Sequence, residues 1–220
     1  MAGRMIIGFV GIDGSGKSLQ AELLAEYIRA KGVACKYVWV RWSPFLLEPV
    51  METMKFLLKK NKNTYKNFTG NKQRLFKFGW QASIWWNLVL VDYFIQLFFK
   101  IIVPKWRGNA IICDRLYYDT VIDQAINFGF SKEKMFSLVN NPLFRLLPVP
   151  NAVFLFDLEP AIALSRKPDP LVSHEYLEDR RHRYLFFQDK LNWIKMDAAL
   201  PIEDLQRKVR EKVGRIINYE

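Results

Sequence analysis

Short apolar runs alternate along the chain with longer segments in which apolar residues recur at helical spacing. The short runs predict five buried strands, at 5–10, 36–40, 109–113, 152–156 and 193–196. The longer segments predict helices at about 19–31, 50–60, 81–103, 118–128, 161–166, 175–191 and 203–217. Strands that alternate with helices are typical of an α/β domain built on a parallel, doubly wound sheet.

The segment 81–103 is the most apolar part of the pattern. It carries only two charged residues, Asp92 and Lys100, and its length would allow a membrane span. Asp92, Gln96 and Lys100 recur every four residues, however, which places them in one polar stripe on the helix. We therefore predict a helix buried in the fold, with one face toward a cleft or toward a second copy in a homodimer.

Two other environments for this helix stay open. Docking on an acidic membrane surface would suit Trp85, Trp86 and the basic run that precedes them. A true span is disfavoured because it would interrupt the sheet. Pro104 is predicted to end the helix, since proline cannot donate the next backbone hydrogen bond.

Length and charge narrow the class of protein. The chain has 220 residues, enough for one domain with a sizeable core, and a net charge of +11. This charge favours anionic partners such as nucleotides, nucleic acid or an acidic membrane. Eight basic residues fall within 55–77, in a stretch without acidic residues, and we interpret them as a solvated basic face. No specific nucleic acid partner is predicted.

The two cysteines, Cys35 and Cys113, lie beside or within predicted strands and form no metal or redox motif. They indicate a reducing compartment. The chain enters its first strand without a signal peptide pattern, so a cytoplasmic location is expected. Peripheral attachment at a membrane is the alternative.

The strongest chemical motif is the segment 11–18, which follows the first strand and opens the first helix. It reads Gly-Ile-Asp-Gly-Ser-Gly-Lys-Ser and fits the P-loop pattern. Glycines let backbone N–H groups wrap a phosphate, and the helix dipole adds positive potential. Lys17 can reach the β- and γ-phosphates of ATP, and the Ser18 hydroxyl can ligate Mg2+. The phosphate cradle comprises Gly11, Gly14, Ser15 and Gly16.

Polar residues follow the predicted strands at the edge of the sheet where ligands bind in this fold class. Asp114 is positioned to hold the metal or its water, and Arg115 to reach an acceptor or transferring phosphate. A simple strand-end salt bridge between neighbours is the structural alternative. Arg41 follows the second strand and is a third candidate for positioning the acceptor.

Charge must be neutralised on the transferring phosphoryl group, and Lys17 with Mg2+ supplies only part of that. The basic turn at 166–170 suggests a lid that supplies the rest. Arg166 is the predicted lid arginine, and Lys167 is its helper.

With these motifs the chain resembles the thymidylate kinase family of nucleoside monophosphate kinases. The resemblance implies a P-loop kinase fold in three layers, with a five-stranded parallel sheet in the order 2-3-1-4-5. It implies one domain over 1–220, with a lid at about 166–175 and an acceptor-side region at about 44–103. It also implies site roles: Asp13 contacts the acceptor sugar, Thr120 and Gln124 contact the acceptor, and Leu19, Asp197 and Ala198 lie on the donor nucleotide.

The chain departs from the family at two positions. Phe94 stands where the family carries an arginine that holds the acceptor, and Val172 stands where its lid usually has an acidic residue. The leading hypothesis is ATP-dependent phosphorylation of a nucleoside monophosphate, dTMP to dTDP. The alternatives are a kinase of this fold for a deoxynucleoside or non-nucleotide alcohol, and a nucleotide-dependent protein associated with membrane or nucleic acid but lacking kinase turnover.

Three further polar residues have structural interpretations. Asp92 is either a contact in the acceptor cleft or a helix–helix hydrogen bond, and the second is expected because buried polar groups need partners in any case. His174 and His182 are expected at the surface.

Overall fold

The five apolar runs form one parallel sheet. The computed structural model describes residues 5–59, 79–169 and 172–218. Strands β1 to β5 span Ile6–Val10, Cys35–Trp39, Ala110–Asp114, Ala152–Asp157 and Ile194–Asp197. Their order is β2-β3-β1-β4-β5, which confirms the predicted fold and sheet order. Every residue of β1 and β3 is buried, because helices cover the sheet and leave no solvent face for polar side chains.

Ten helices and one π-turn surround the sheet in the described residues. Helices α1 to α10 span Lys17–Ala30, Glu48–Lys59, Gly79–Leu97, Val103–Trp106, Tyr117–Phe128, Lys132–Val139, Pro142–Arg145, Pro160–Arg166, His174–Leu191 and Ile202–Asn218. Helix α1 packs on β2, β3 and α10, while α9 packs on β4 and α5. The P-loop, the end of β3 and the start of α5 therefore meet at the carboxyl edge of the sheet.

The apolar segment forms one long helical stretch with two different sides. One side of α3, including Trp86, Leu90, Tyr93 and Leu97, is buried in the core. The other side exposes a stripe of apolar residues. In the described part of the chain, Ser83–Trp106 is long and apolar enough to cross a membrane when judged by length and composition alone, and 44% of it is buried.

The prediction that Pro104 ends this helix is wrong. A π-turn at Phe98–Ile102 precedes the proline, and the chain continues as helix α4 through Trp106. The wider turn changes the hydrogen-bond register just before Pro104, where the proline ring and its missing N–H would otherwise disrupt an α-helical turn. The stretch ends instead at Gly108, which has a φ of 83°.

Two short helices were not predicted, α6 and α7. Each begins at a side-chain cap: Ser131 Oγ accepts from the Lys134 N–H, and Asn141 Oδ1 accepts from the Leu143 N–H. Ser and Asn in these positions are ordinary helix-start signals, so this part of the fold was readable from the chain.

Parts of the predicted acceptor side and lid lie outside the described residues. The basic run at 55–77 falls largely there, as do residues 170–171 of the lid at 166–175.

Candidate active site

The P-loop is shaped by three glycines with positive φ, and at two of them a side chain would collide with the backbone of a neighbouring segment. Gly11 has a φ of 145°, and a Cβ atom there would lie 2.6 Å from the Phe156 carbonyl oxygen. Gly14 has a φ of 87°, and its Cβ would lie 2.6 Å from the Ala163 carbonyl oxygen. Gly16, with a φ of 79°, is the N-cap of α1. The loop thus turns tightly between β1 and α1 and leaves the helix N-terminus open to an anion.

Lys17 is 4% exposed and folds back over this loop. Its ammonium donates to the Ile12 carbonyl oxygen at 3.0 Å and lies 3.7 Å from Asp13 Oδ1. Burial, followed by repulsion from the Arg115 charge, lowers the pKa of Lys17 to about 8. The ammonium is therefore charged at neutral pH, but nearby acidic groups compensate its charge only in part. Such a cation is suited to bind a polyphosphate.

Arg115 links the P-loop to the start of α5. Its guanidinium donates to Asp13 and, at 3.1 Å, to Asp119 Oδ1, and its backbone has a φ of 74°. Asp119 is fully buried and also accepts from the Tyr184 hydroxyl at 2.6 Å. Burial alone would raise the pKa of Asp13, but the charges of Arg115 and Lys17 hold it well below its usual range. Asp13 and Arg115 are thus fixed as an ion pair beside the loop.

Asp114 ends β3 next to the P-loop and has one uncommitted oxygen. Its Oδ2 accepts from the Tyr37 hydroxyl at 2.8 Å, while Oδ1 is buried without a hydrogen-bond partner among the described residues. Ser15 Oγ is buried without a partner in the same part of the structure. A buried carboxylate oxygen without a hydrogen-bond partner fits a magnesium ion or its bound water, because a ligand there would compensate the oxygen for its lost hydration.

The rest of such a metal site would come from outside the protein. Within 5–59, 79–169 and 172–218 there is no cluster of three or more His, Cys, Asp or Glu residues that could hold a metal alone. Magnesium in nucleotide enzymes commonly keeps waters and takes phosphate oxygens together with one or two side chains. Ser18, exposed at the rim of the loop, and Asp114 fit that donor set.

One cleft of about 610 Å³ collects most of the predicted site residues. Its lining includes Asp13, Lys17 and Ser18 from the P-loop region, Arg115 after β3, Arg41 after β2, and Arg166 at the end of α8. Arg41 reaches Asp123 Oδ2 at 3.3 Å. Cationic groups from three separate segments thus face the same space as the P-loop.

A second pocket of about 460 Å³ adjoins the loop on the side of β5. Leu19 and Ala198 line it, together with Gly14, Ser15, Gly16 and Arg166. Asp197 does not line it but shapes the turn, because its Oδ1 accepts from the Ala199 N–H at 3.0 Å. The Arg166 guanidinium donates to the Ala198 carbonyl oxygen at 2.9 Å and so stands between the two pockets.

Thr120 and Gln124 are not brought to the open cleft. Both are buried on α5, and neither is among the residues that line it. The Thr120 hydroxyl accepts from the Trp42 N–H at 3.4 Å, so the segment after β2 covers this part of α5. The predicted contact of Thr120 with an acceptor would require Trp42 to move.

The polar stripe on the long helix holds that covering segment. Asp92 is 1% exposed, and its carboxylate accepts from the Trp42 indole N–H at 3.1 Å and from the backbone N–H groups of Phe45 and Leu46. The expected helix–helix bond of Asp92 is therefore wrong, because the donors to its carboxylate come from the loop after β2. Gln96 and Lys100 continue the pattern by donating to the carbonyl oxygens of Ser43 and Trp39.

Phe94, where the resemblance leads one to expect an arginine, does not line the cleft beside the P-loop. It lines an apolar groove of about 680 Å³ together with Phe98, Ile102, Trp106 and Leu146. The cleft beside the P-loop therefore receives nothing from this position.

Four residues beside the site were not among the predicted site residues: Asp119, Asp123, Arg180 and Tyr184. Asp119 and Asp123 lie four residues apart on α5, and Arg180 and Tyr184 lie four apart on α9, so each pair shares a helix face. That spacing was a visible signal. Their meeting across two helices is a tertiary fact that no local pattern carries.

These features define a P-loop kinase fold, in which a phosphate-binding loop shares a cleft with arginines from other segments and a buried aspartate ends the neighbouring strand. No family model matches the chain. It is 27% identical over 221 residues to a probable thymidylate kinase of Archaeoglobus fulgidus, covering 98% of both chains. It is 28% identical to a probable thymidylate kinase of Sulfurisphaera tokodaii, covering 96% of each chain, and 25% identical to a thymidylate kinase of Plasmodium falciparum, covering 97% of this chain and 91% of the other.

The chain is thus similar to curated thymidylate kinases along nearly its whole length. Among solved structures, the thymidylate kinase of Ehrlichia chaffeensis superimposes with a TM-score of 0.57 at 20% identity. That superposition covers 96% of this chain and 98% of the other. The structural similarity bears out the fold that the motifs predicted.

Proposed function

We propose that the protein is a nucleoside monophosphate kinase that transfers the γ-phosphoryl group of ATP to dTMP and yields dTDP and ADP. The observation that carries the proposal is the shared cleft, in which Lys17 faces Arg115, Asp13 and Arg41. A donor loop and acceptor-side cations in one space suit direct transfer between two bound nucleotides. The relatives named thymidylate kinases, aligned along nearly the whole chain, favour dTMP as the acceptor.

On the donor side, the backbone of Gly11, Gly14, Ser15 and Gly16 binds the phosphates and Lys17 neutralises them. Ser18 and Asp114 would hold Mg2+, which supplies positive charge to the β- and γ-phosphates. Leu19 and Ala198 pack on the base, in the pocket between the P-loop and the loop after β5 that Asp197 shapes.

On the acceptor side, Arg41 and Arg115 bind the monophosphate, and Asp13 contacts the sugar. Thr120 and Gln124 reach the base after the Trp42 segment shifts from its position over α5. This shift breaks the long Trp42-to-Thr120 hydrogen bond, at 3.4 Å, and also requires the contacts of the segment with Asp92 to loosen.

During transfer, Lys17, Arg115 and Arg166 stabilise the charge on the phosphoryl group. Arg166 lies at the start of the lid, where its guanidinium needs only to leave the Ala198 carbonyl to turn toward the P-loop. Phosphate is already a competent nucleophile, so positioning and charge matter more than a general base.

ADP release measured with dTMP, other nucleoside monophosphates and unphosphorylated nucleosides tests this function. We expect dTMP to give the highest kcat/KM. If a nucleoside or a simple alcohol were preferred, the acceptor would be wrong while the kinase fold stood. If no acceptor raised ATP turnover above background, the kinase assignment itself would fail.

We also propose that the protein is a cytoplasmic homodimer joined through α3. The free, buried thiols of Cys35 and Cys113 fit a reducing compartment. Trp80, Ile84, Leu88 and Val91 form an uncharged stripe on α3, each about half exposed or more, and a copy of the same stripe is a complementary partner for it.

A further inference from the structure

A continuous chain of polar contacts joins the P-loop to Arg41. Arg41 pairs with Asp123 Oδ2, and Asp123 Oδ1 accepts from Arg180. Arg180 Nη2 donates to the Tyr184 hydroxyl at 3.1 Å, and that hydroxyl donates to Asp119 at 2.6 Å. Asp119 binds Arg115, which binds Asp13. Asp13 and Asp123 each contact two basic side chains, while Asp119 contacts Arg115 and the Tyr184 hydroxyl.

Arg180 is the deepest member of this chain. Its side chain is fully buried, and Asp123 is the carboxylate that it contacts directly. The Tyr176 and Tyr184 hydroxyls accept its remaining Nη hydrogen bonds, while its Nε has no partner among the described residues. Through this direct contact the buried guanidinium holds the Asp123 carboxylate in place.

Asp123 divides its two oxygens between two arginines. One oxygen faces the buried Arg180, and the other faces Arg41, whose side chain is 38% exposed in the cleft. A long arginine side chain at a cleft edge would otherwise sample many rotamers, and fixing it in advance lowers the entropic cost of binding a phosphate.

We propose that Asp123 and Arg180 are positioning residues that hold Arg41 for the acceptor phosphate and join it to the Asp13–Arg115 pair. This inference rests on the proposed function, because it assigns Arg41 to the acceptor. Neither residue touches the reacting atoms. They act through Arg41 at one end of the chain and through Tyr184 and Asp119 at the other.

Steady-state kinetics with dTMP and ATP test the proposal. Asp123→Asn should raise the KM for dTMP about tenfold and leave the KM for ATP within twofold, since Arg41 is the cation of the cleft that Asp123 contacts directly. Asp123→Glu should recover part of the loss. Asp179→Asn is the matched control, because it breaks an Asp–Arg pair on α9 that does not line the cleft, and it should leave both KM values unchanged.

A double-mutant cycle separates positioning from general damage. In an Arg41→Met background, Asp123→Asn should add no more than twofold to the KM for dTMP. Full additivity of the two effects would overturn the proposal, as would an equal rise in the KM for ATP. If Asp123→Asn does not fold, Asp123→Glu, which keeps the charge but displaces it, must still raise the KM for dTMP selectively.

A readout without turnover distinguishes this proposal from the function itself. In NMR spectra of isotope-labelled protein, the Arg41 guanidinium N–H signal, identified by Arg41→Lys, should be resolved in the wild type and averaged in Asp123→Asn. An averaged Arg41 signal in the wild type would overturn the positioning role even if dTMP is the acceptor. A resolved signal in a protein inactive toward dTMP would leave the positioning intact and contradict the acceptor.

Discussion

Lys17 illustrates how a single residue obtains its chemistry from its surroundings. The P-loop buries the ammonium, and Arg115 adds a second positive charge nearby, so its protonated form is less favoured than that of a lysine in water. Asp13, at 3.7 Å, offsets only part of this. The burial and the nearby positive charge that lower the pKa of Lys17 also favour the binding of an anion at this site.

We predict that Lys17 of the nucleotide-free protein titrates near pH 8. Its folded-state pKa is depressed, so the amine is charged below that pH and becomes neutral and nucleophilic above it. The rate of amine modification at Lys17, followed by peptide mass spectrometry across pH, measures the midpoint. Mg·ATP should move the midpoint upward, because phosphate charge favours the ammonium. A midpoint at about 10.4, the ordinary value for lysine, would contradict the effect of burial.

At the scale of elements, two connections make the site. The P-loop joins β1 to α1, and the segment after β2 carries Arg41 across to α3. The first is held by backbone geometry at its glycines. The second is held by side chains of a single helix, through Asp92, Gln96 and Lys100. Substitutions should therefore damage the two connections in different ways.

Gly14→Ala should disable the P-loop. The new Cβ would enter a left-handed backbone position and lie 2.6 Å from the Ala163 carbonyl, so the loop must shift. We expect the affinity for ATP to fall at least about tenfold and the free energy of unfolding to fall by about 2–4 kcal/mol. Nucleotide titration and denaturant unfolding measure the two effects.

Gly32→Ala is the control for Gly14→Ala. Gly32 has a φ of 78°, but its Cβ would meet nothing within 4 Å. It should cost about 1–2 kcal/mol and leave the affinity for ATP unchanged. Equal losses of ATP affinity in the two variants would mean that close contact with Ala163 does not shape the loop.

Asp92→Asn should loosen the segment that carries Arg41. An amide can accept on one side only, so at least one of the three donors that meet the carboxylate loses its partner. We expect the free energy of unfolding to fall by about 1–3 kcal/mol and the KM for dTMP to rise, with the KM for ATP unchanged. Asn87→Ala, at an exposed position on the same helix, should change neither. An unchanged KM for dTMP in a destabilised Asp92→Asn would show that the segment does not position the acceptor.

The strands could be predicted from the sequence because burial on both faces of a parallel sheet requires continuous apolar runs. The long helices could be predicted from apolar residues at helical spacing. The phosphate-binding loop was equally predictable from the sequence, because backbone geometry requires Gly11, Gly14 and Gly16. The burial of Thr120 under Trp42 could not be predicted from the sequence, because it depends on how α3 binds the segment after β2. The Asp123–Arg180 contact joins residues that are 57 positions apart in the sequence, and neither a motif nor a spacing predicts it. The prediction that Pro104 ends the long helix was wrong for a local reason, because a π-turn precedes the proline and lets the helix continue.

At the scale of the whole molecule, the long helix faces two ways. Its buried side completes the core and its polar stripe holds the Arg41 segment, while Trp80, Ile84, Leu88 and Val91 remain outside. A stripe of that kind on a helix is typical of a surface that another subunit covers.

We predict that the wild type is a dimer by light scattering and that Val91→Glu shifts it toward monomer. A carboxylate placed in an apolar interface would lose its hydration without a partner. Val149→Glu, at an exposed loop position, is the control and should stay dimeric. A monomeric wild type that co-sediments with acidic vesicles would contradict the dimer and favour the membrane alternative for this helix.

The central claim is that the cleft transfers phosphate from ATP to dTMP. Chromatographic separation of dTMP, dTDP, ATP and ADP after incubation with Mg2+ tests it most directly, with Lys17→Ala run in parallel. We predict that dTDP and ADP appear in equal amounts with the wild type, and that Lys17→Ala lowers the rate by at least about 100-fold. ADP formed without dTDP, or dTDP formed equally fast by Lys17→Ala, would contradict the account.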